Sequence, residues 1–405
     1  MIGNSKIVNK FSILLAIRGN ELALVFAIIA IVGTTIALDT SRSYLEYPGT
    51  SAIDVLRNAS LLTIFALGAS VIIISGGIDL SAGSMIAFSG TVIACTMLAF
   101  QSLGTTEAPT PQWVVISAGI FAGLTAGFLV GSLHAWLIIS VGLPPFVATL
   151  ATLVGLRSLA RILGESTTSL LLSAKKSQIP IEQPFFTDYL RENVWIWIVT
   201  AMLLAIFTAV LLGCTILGRH LYAMGGNEQA ALLSGLRTDR LKWFAYVFGS
   251  MTASLASIFY LANEGVSAPV TQAVGHELNG IAAAVVGGCS LQGGIGTVAG
   301  TVMGALFLRT VIDAVAKIIK TGADVWQGII VGVVVVLAVT LSQYKSSRAA
   351  GRKLFAGPLG LLAIIILASL TGFLVATTSG ATVGSISSIA MAGLMLGYRF
   401  FESRQ

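Results

Sequence analysis

Twelve apolar stretches dominate this chain and leave it few ways to fold in water. They run over residues 21–38, 52–75, 83–101, 112–140, 145–163, 193–213, 243–262, 279–290, 296–319, 325–342, 355–377 and 383–400. A helix needs about 20 mostly apolar residues to cross the roughly 30 Å of a bilayer's hydrocarbon. Most of the runs reach that length. The eighth is short, and the fifth follows Pro144 and Pro145 and is interrupted by Arg157 and Arg161. Of the 405 residues, 56% are hydrophobic and 10% charged, and mean hydropathy is +0.92. Soluble domains carry about 25% charged residues, so too little polar surface is available here to cover a soluble fold. The expectation is an all-α, polytopic membrane helix bundle. Many of the 44 glycines lie inside the runs, where they let helices approach closely.

A net charge of +6 does not point to nucleic acid once the basic residues are placed. Lys6, Lys10, Arg18, Arg219, Arg237, Arg240, Lys242, Lys345, Arg348, Arg352, Lys353, Arg399 and Arg404 fall on segments 1–20, 214–242, 343–354 and 399–405. The alternate loops hold only Arg42, Lys175, Lys176, Arg191 and Lys320. Lys and Arg collect on cytoplasmic loops, which puts both termini in the cytoplasm. The first apolar run lacks a small-residue cleavage site and reads as a span. Cys95, Cys214 and Cys289 are far apart without CxxC spacing; they read as small buried residues, with no disulfide, metal or cofactor indicated. His134, His220 and His276 are isolated.

The longest polar interruption on the cytoplasmic side is 214–242, CTILGRHLYAMGGNEQAALLSGLRTDRLK. Asn227 to Ser234 reads as a short helix bracketed by Gly225, Gly226 and Gly235 as turn or cap residues. A bland loop needs no such helix; a docking surface for a soluble partner does. The longest outer interruption, 164–192, contains Pro180 and Pro184 and is expected to carry a short surface segment.

Two glycine clusters break the apolar runs with almost no loop. Backbone outside a helix is costly in lipid, so each must line protein or water. The first, SGGIDLSAGS at 75–84, contains Gly76, Gly77, Asp79 and Ser81. Asp79 and Ser81 have the chemistry to cap the next helix. The second, GGCSLQGGIG at 287–296, contains Gly287, Gly288, Gly293 and Gly294. It lacks the strand and the Lys-Ser/Thr pair of a phosphate loop and reads as a tight turn between two half-spans. Arg309, Asp313 and Lys317 follow at i, i+4, i+8, which stacks an acid between two bases on one helix face. The sequence contains no HExxH, GxSxG or Walker A pattern, so no catalytic role is expected and any ATP hydrolysis belongs to another subunit.

Four segments carry a resemblance. GGIDLSAGSMIAFSG at 76–90, PPFVATLATLVGLRSLAR at 144–161, GRHLYAMGGNEQAALLSGLRTDRLKWFAYVFGS at 218–250 and HELNGIAAAVVGGCSLQGGIGTVAGTVMGAL at 276–306 resemble segments of the ribose/galactoside-type ABC transporter permeases, in the family's order and spacing. The resemblance implies a type II ABC importer core of about ten spans over 1–342; residues 343–405 depart from it and read as a basic linker followed by about two extra spans, or one span and a re-entrant piece. It implies a cytoplasmic ATPase with two cassettes, an extracytoplasmic solute-binding protein and a second permease in a bacterial inner membrane. Gly225, Gly226, Asn227, Glu228, Ala230, Ala231, Ser234 and Gly235 would then form the helix that docks on the ATPase. A monosaccharide or sugar-like solute is expected; nucleosides, furanone signals and branched-chain amino acids are carried by related permeases, and a secondary transporter is the reading from another class. Asn279, Ile295, Arg309 and Asp313 depart from the family pattern.

Overall fold

Residues 59–74 are buried without exception, because this uncharged stretch of its helix is predominantly apolar on every side and suits only the middle of a bundle. The computed structural model describes residues 19–105, 108–319 and 357–404, with 326, 328–329, 331–333, 336 and 340. The chain divides into two compact units, Met1–Val336 and Leu337–Gln405. In the first, helix α1 (Gly19–Leu38) leads through the single turn α2 (Ser43–Glu46) to the central helix α3 (Pro48–Ile74). Pro48 starts α3 at a position where its missing N–H costs nothing. Helices α4 (Ala82–Ser102), α5 (Gln112–Ile139), α6 (Pro145–Leu172) and α7 (Val194–Cys214) follow. After them come α8 (Ile216–Gly226), α9 (Glu228–Leu233), α10 (Thr238–Glu264), α11 (His276–Val286) and α12 (Val298–Ile318).

Helices α3 and α10 form the buried centre, and Gly68 of α3 lies against Gly249 and Thr252 of α10, a small-residue contact of the kind that packs membrane helices. Around them, large apolar side chains such as Trp113, Phe121, Leu170 and Trp195 point outward, as lipid-facing surfaces do. Among the described residues, nine helices are long and apolar enough to cross a membrane. The short run at 279–290 is α11, 11 residues long and about 16 Å, half a span. The run at 325–342 lies largely outside the described residues.

Two expectations need correction. Arg157 and Arg161 do not break the fifth run; α6 continues unbroken for 28 residues. The Nη1 group of Arg157 reaches sideways to donate to the carbonyl oxygens of Pro269 and Gln272, each at 2.9 Å, and Arg161 pairs with Glu165 at 2.7 Å. The interruption at 164–192 is correspondingly shorter. It holds strand β1 (Ile179–Pro180), antiparallel to β2 (Val266–Ser267), and a π-helical turn over Phe185–Leu190. The fully buried Trp197 tethers that turn by donating from Nε1 to the Leu190 carbonyl at 2.8 Å.

In the second unit, α13 (Gly357–Ser379) and α14 (Ala381–Arg404) are joined at Gly380. Gly372 lies against Ser388 and Gly384 against Ala376, pairings symmetric about residue 380, so the two helices form an antiparallel hairpin. The basic linker expected before it lies outside the described residues.

Candidate functional site

The segment 214–242 contains two helices. Thr215 caps α8 by accepting from the Gly218 N–H at 3.1 Å. Gly225 and Gly226 are the last residues of α8, so their reading as a turn is corrected: the bend falls at Asn227, which is extended and caps α9 by accepting from the Ala230 N–H at 2.9 Å. At the other end Gly235 is left-handed, with φ +81°. Its N–H donates to Leu232 O at 2.9 Å and the Leu236 N–H to Ala231 O at 3.1 Å, the paired bonds that close a helix on a glycine. Ser234 donates to Ala230 O at 2.8 Å. Glu228 pairs with Lys242 of α10, tying α9 back to the bundle. Ala231 is buried beneath α9, while Leu232 and Leu233 are 60% and 89% exposed. Sequence reasoning passed over these two leucines. Two apolar residues side by side in a six-residue helix between polar caps were the available signal.

The first break, 75–81, is satisfied from within the protein. Gly77 N–H donates to Ile72 O at 2.9 Å and Leu80 N–H to the Thr149 hydroxyl of α6 at 3.2 Å. Asp79 and Ser81 do not cap α4 in the expected way, because the Ser81 side chain makes no capping bond. Instead Oδ1 of Asp79 accepts from the Ser81 N–H at 2.7 Å and its hydroxyl at 2.6 Å, which folds the segment onto itself. In the second break, Gly288 and Cys289 N–H groups close α11 on Val285 and Ala284, and Ser290 N–H bonds Ile295 O at 2.9 Å. Gly287 packs on Gly300 of α12, and Thr297 caps α12 by accepting from Gly300 N–H at 3.0 Å. The helix after this break has 21 residues, a full span, where a half-span was expected.

What the sequence did not disclose is that both breaks meet α8 at one point. Gly294 N–H donates to Ile74 O at 2.9 Å, joining the two breaks directly. A Cβ on Gly225 would land on that same Ile74 oxygen and lie 2.7 Å from Gly294 N. Gly293, at φ +86°, faces Gly225 O and the Cα of Gly76 where a Cβ would stand 2.5 and 2.9 Å away. Tyr222 of α8 adds a hydrogen bond to Gly296 O at 2.9 Å. Three stretches of backbone thus touch without side chains between them. Beside the junction lies a cavity of about 500 Å³ lined by Ser75, Pro144, Met224, Asn227, Tyr246 and Gln292 among others.

The remaining candidates divide. Lys317 pairs with Asp313 at 2.8 Å and Tyr44 of α2 donates to the same Oδ2 at 2.6 Å. Arg309 takes no part in that pair, so the expected acid between two bases is half right. Cys95 and Cys289 are buried, but Cys214 is exposed, because it ends α7 where the bundle gives way to α8.

An apolar helical bundle with nine helices long enough to cross a membrane among the described residues, two of its breaks closed on each other through glycine backbone, has the architecture of a polytopic membrane permease. It belongs to the family described as branched-chain amino acid transport system / permease component, whose model matches residues 51–339. It is 32% identical over 287 residues to a fructose import permease of Bifidobacterium longum, covering 70% of this chain and 79% of that one. It is 34% identical over 282 residues to an autoinducer 2 import system permease of Yersinia pseudotuberculosis, covering 69% and 73%. A ribose import permease of Haemophilus influenzae is 29% identical over 297 residues, covering 73% and 86%. No solved structure matches the chain.

Proposed function

We propose that the chain is the permease subunit of an ATP-driven, binding-protein-dependent importer for a monosaccharide or sugar-like solute. The observation that carries this reading is α9: a capped helix with Leu232 and Leu233 turned outward, continuous through Asn227 with the backbone junction at Gly225. A cytoplasmic ATPase with two cassettes grips α9. Its closure on ATP shifts α8, and because Gly225 meets Ile74 and Gly294 backbone to backbone, the shift reaches both breaks instead of being absorbed by side chains. The solute path then alternates between its two faces, with the energy entering as differential contact with two permease states.

The distribution of Lys and Arg supports cytoplasmic termini in a bacterial inner membrane. An extracytoplasmic binding protein delivers the solute, and a second permease, identical or paralogous, completes the path. Residues 1–342 are the transport core, and 343–405 a linker with added membrane segments. The sugar assignment draws support from the fructose and ribose permeases among the relatives; the autoinducer 2 relative keeps a furanone-type signal as the second candidate.

The test is purification of the full-length chain from its native membrane. Recovery of a two-cassette ATPase, with ATP-dependent uptake of a pentose or hexose into reconstituted vesicles, is the expected result. Uptake driven by an ion gradient without any ATPase would overturn it.

A further inference from the structure

At the end of the bundle opposite the glycine junction lies a second cavity, about 290 Å³, near the lower edge of the roughly 300–1,000 Å³ typical of small-molecule sites. Asn58 of α3, Tyr260 and Glu264 of α10, Gln272, His276 of α11 and Arg309 of α12 are among its lining residues. Tyr246, beside the junction, and Tyr260 both sit on α10, 14 positions apart, which separates the two sites by about 21 Å along one helix.

This cavity carries an unusual concentration of buried polar atoms without a protein partner: the Tyr260 hydroxyl, both amide atoms of Gln272 and Nε of Arg309. Tyr260 and Gln272 are 4% and 5% exposed. Buried polar groups without partners are expensive, and four such atoms on three residues that line one cavity mark a place where something else supplies the bonds. The inventory restricts what that is. Arg309 Nε–H and Gln272 Nε2 donate only, Gln272 Oε1 accepts only, and the Tyr260 hydroxyl does either. A bound anion such as a carboxylate offers acceptors alone and would face Glu264; an ammonium cation offers donors alone, a metal ion offers none, and either would face Arg309. A neutral molecule bearing several hydroxyls satisfies all four. Tyr260 and His276 meet edge to face at 5.3 Å between centroids and add an aromatic wall.

Arg309 is available for this role because its neighbours are committed elsewhere. Asp313 is held by Lys317 and Tyr44. Arg157 braces the cavity rim from outside by bonding the carbonyls of Pro269 and Gln272.

We infer that this cavity is a binding site for a neutral, hydroxyl-rich solute of monosaccharide size, read by Arg309, Gln272 and Tyr260 within a single permease chain. The inference rests on the importer reading for its solute class and adds a point of direct contact remote from the coupling helix.

The test is equilibrium binding of radiolabelled D-ribose and D-fructose to the full-length chain in lipid nanodiscs, with ribose 5-phosphate as the anionic competitor. Saturable binding of one sugar below about 10 mM is expected, displaced by unlabelled sugar and not by the phosphate. Tyr260→Phe and Gln272→Leu should each weaken it about tenfold, the scale of one lost hydrogen bond, and Arg309→Leu at least as much. Tyr260→Phe removes a single oxygen and guards against a folding defect in the other two. No saturable binding, which would mean water alone occupies the cavity, equal binding by the three variants, or tighter binding of the phosphate each overturns the inference. ATPase stimulation measured on the same preparations separates the two readings. Coupling without sugar binding defeats only this site, and sugar binding without any ATPase partner defeats only the importer reading.

Discussion

Gly225 and Gly226 are neighbours in α8, yet a methyl group added to each meets opposite surroundings. At Gly225 it would collide with the Ile74 carbonyl and crowd Gly294; at Gly226 it would meet nothing within 4 Å. Backbone atoms cannot swing aside as side chains do, so Gly225→Ala must separate α8 from both breaks. A destabilisation of about 1–3 kcal/mol is expected, the usual cost of overpacking, together with loss of transport. Gly226→Ala should change stability by no more than about 0.5 kcal/mol, as surface substitutions do, and should keep transport. Thermal unfolding followed with a thiol-reactive dye suits the pair, since Cys95 and Cys289 are buried and become reactive only on unfolding. Equal melting temperatures for the two variants would remove the junction from the account.

At the scale of elements, α9 and the clamp between α2 and α12 make separable predictions. Leu233 stands 89% exposed on α9, so Leu233→Asp has nothing to disturb in the isolated chain and its stability should hold within about 0.5 kcal/mol. If the ATPase covers that leucine, a charge placed there costs about 2 kcal/mol or more at the interface, and affinity for the ATPase falls at least tenfold. A pull-down titration reads this directly; unchanged affinity would move the docking surface elsewhere. The clamp is a matter of stability. Tyr44 donates to Asp313 at 2.6 Å while the Lys317 ammonium lies 4.4 Å from the Tyr44 ring centroid. Hydrogen bonds to charged groups contribute roughly 1.5–3 kcal/mol. The Asp313 side chain retains 22% of its exposure, so Tyr44→Phe should cost nearer 1 kcal/mol by the same dye assay. An unshifted midpoint would show that the Asp313–Lys317 pair holds α12 without help from α2.

For the whole molecule the open quantity is direction. Cys214 offers a native marker, since it is exposed at the end of α7, one residue before the stretch leading into α8, while Cys95 and Cys289 are buried. A membrane-impermeant maleimide should label Cys214 in inside-out vesicles and leave it unlabelled in right-side-out ones. The reverse pattern would place α9 outside the cell, out of reach of any ATPase. The two cavities, at opposite ends of α3 and α10, then acquire sides: labelling from the inside puts the 500 Å³ cavity toward the cytoplasm and the 290 Å³ cavity toward the outer face.

Much of this architecture is written locally in the chain. Run length and composition dictated a membrane bundle, because twenty apolar residues have no better solvent than lipid. The helix after Asn227 and its closure at Gly235 were readable because a cap is a contact between residues three or four positions apart. Arg157 was misread because helical periodicity says which face a side chain occupies but not that distant carbonyls of Pro269 and Gln272 wait opposite it. For the same reason Arg309 could be placed in line with Asp313 and still take no part in the pair that Asp313 makes with Lys317. The meeting of 74–77, 225–226 and 293–294 belongs to tertiary structure alone. Glycine contributes no side chain to pattern, so three pairs of glycines in sequence look alike whether they lie apart or, as here, touch backbone to backbone in the folded chain.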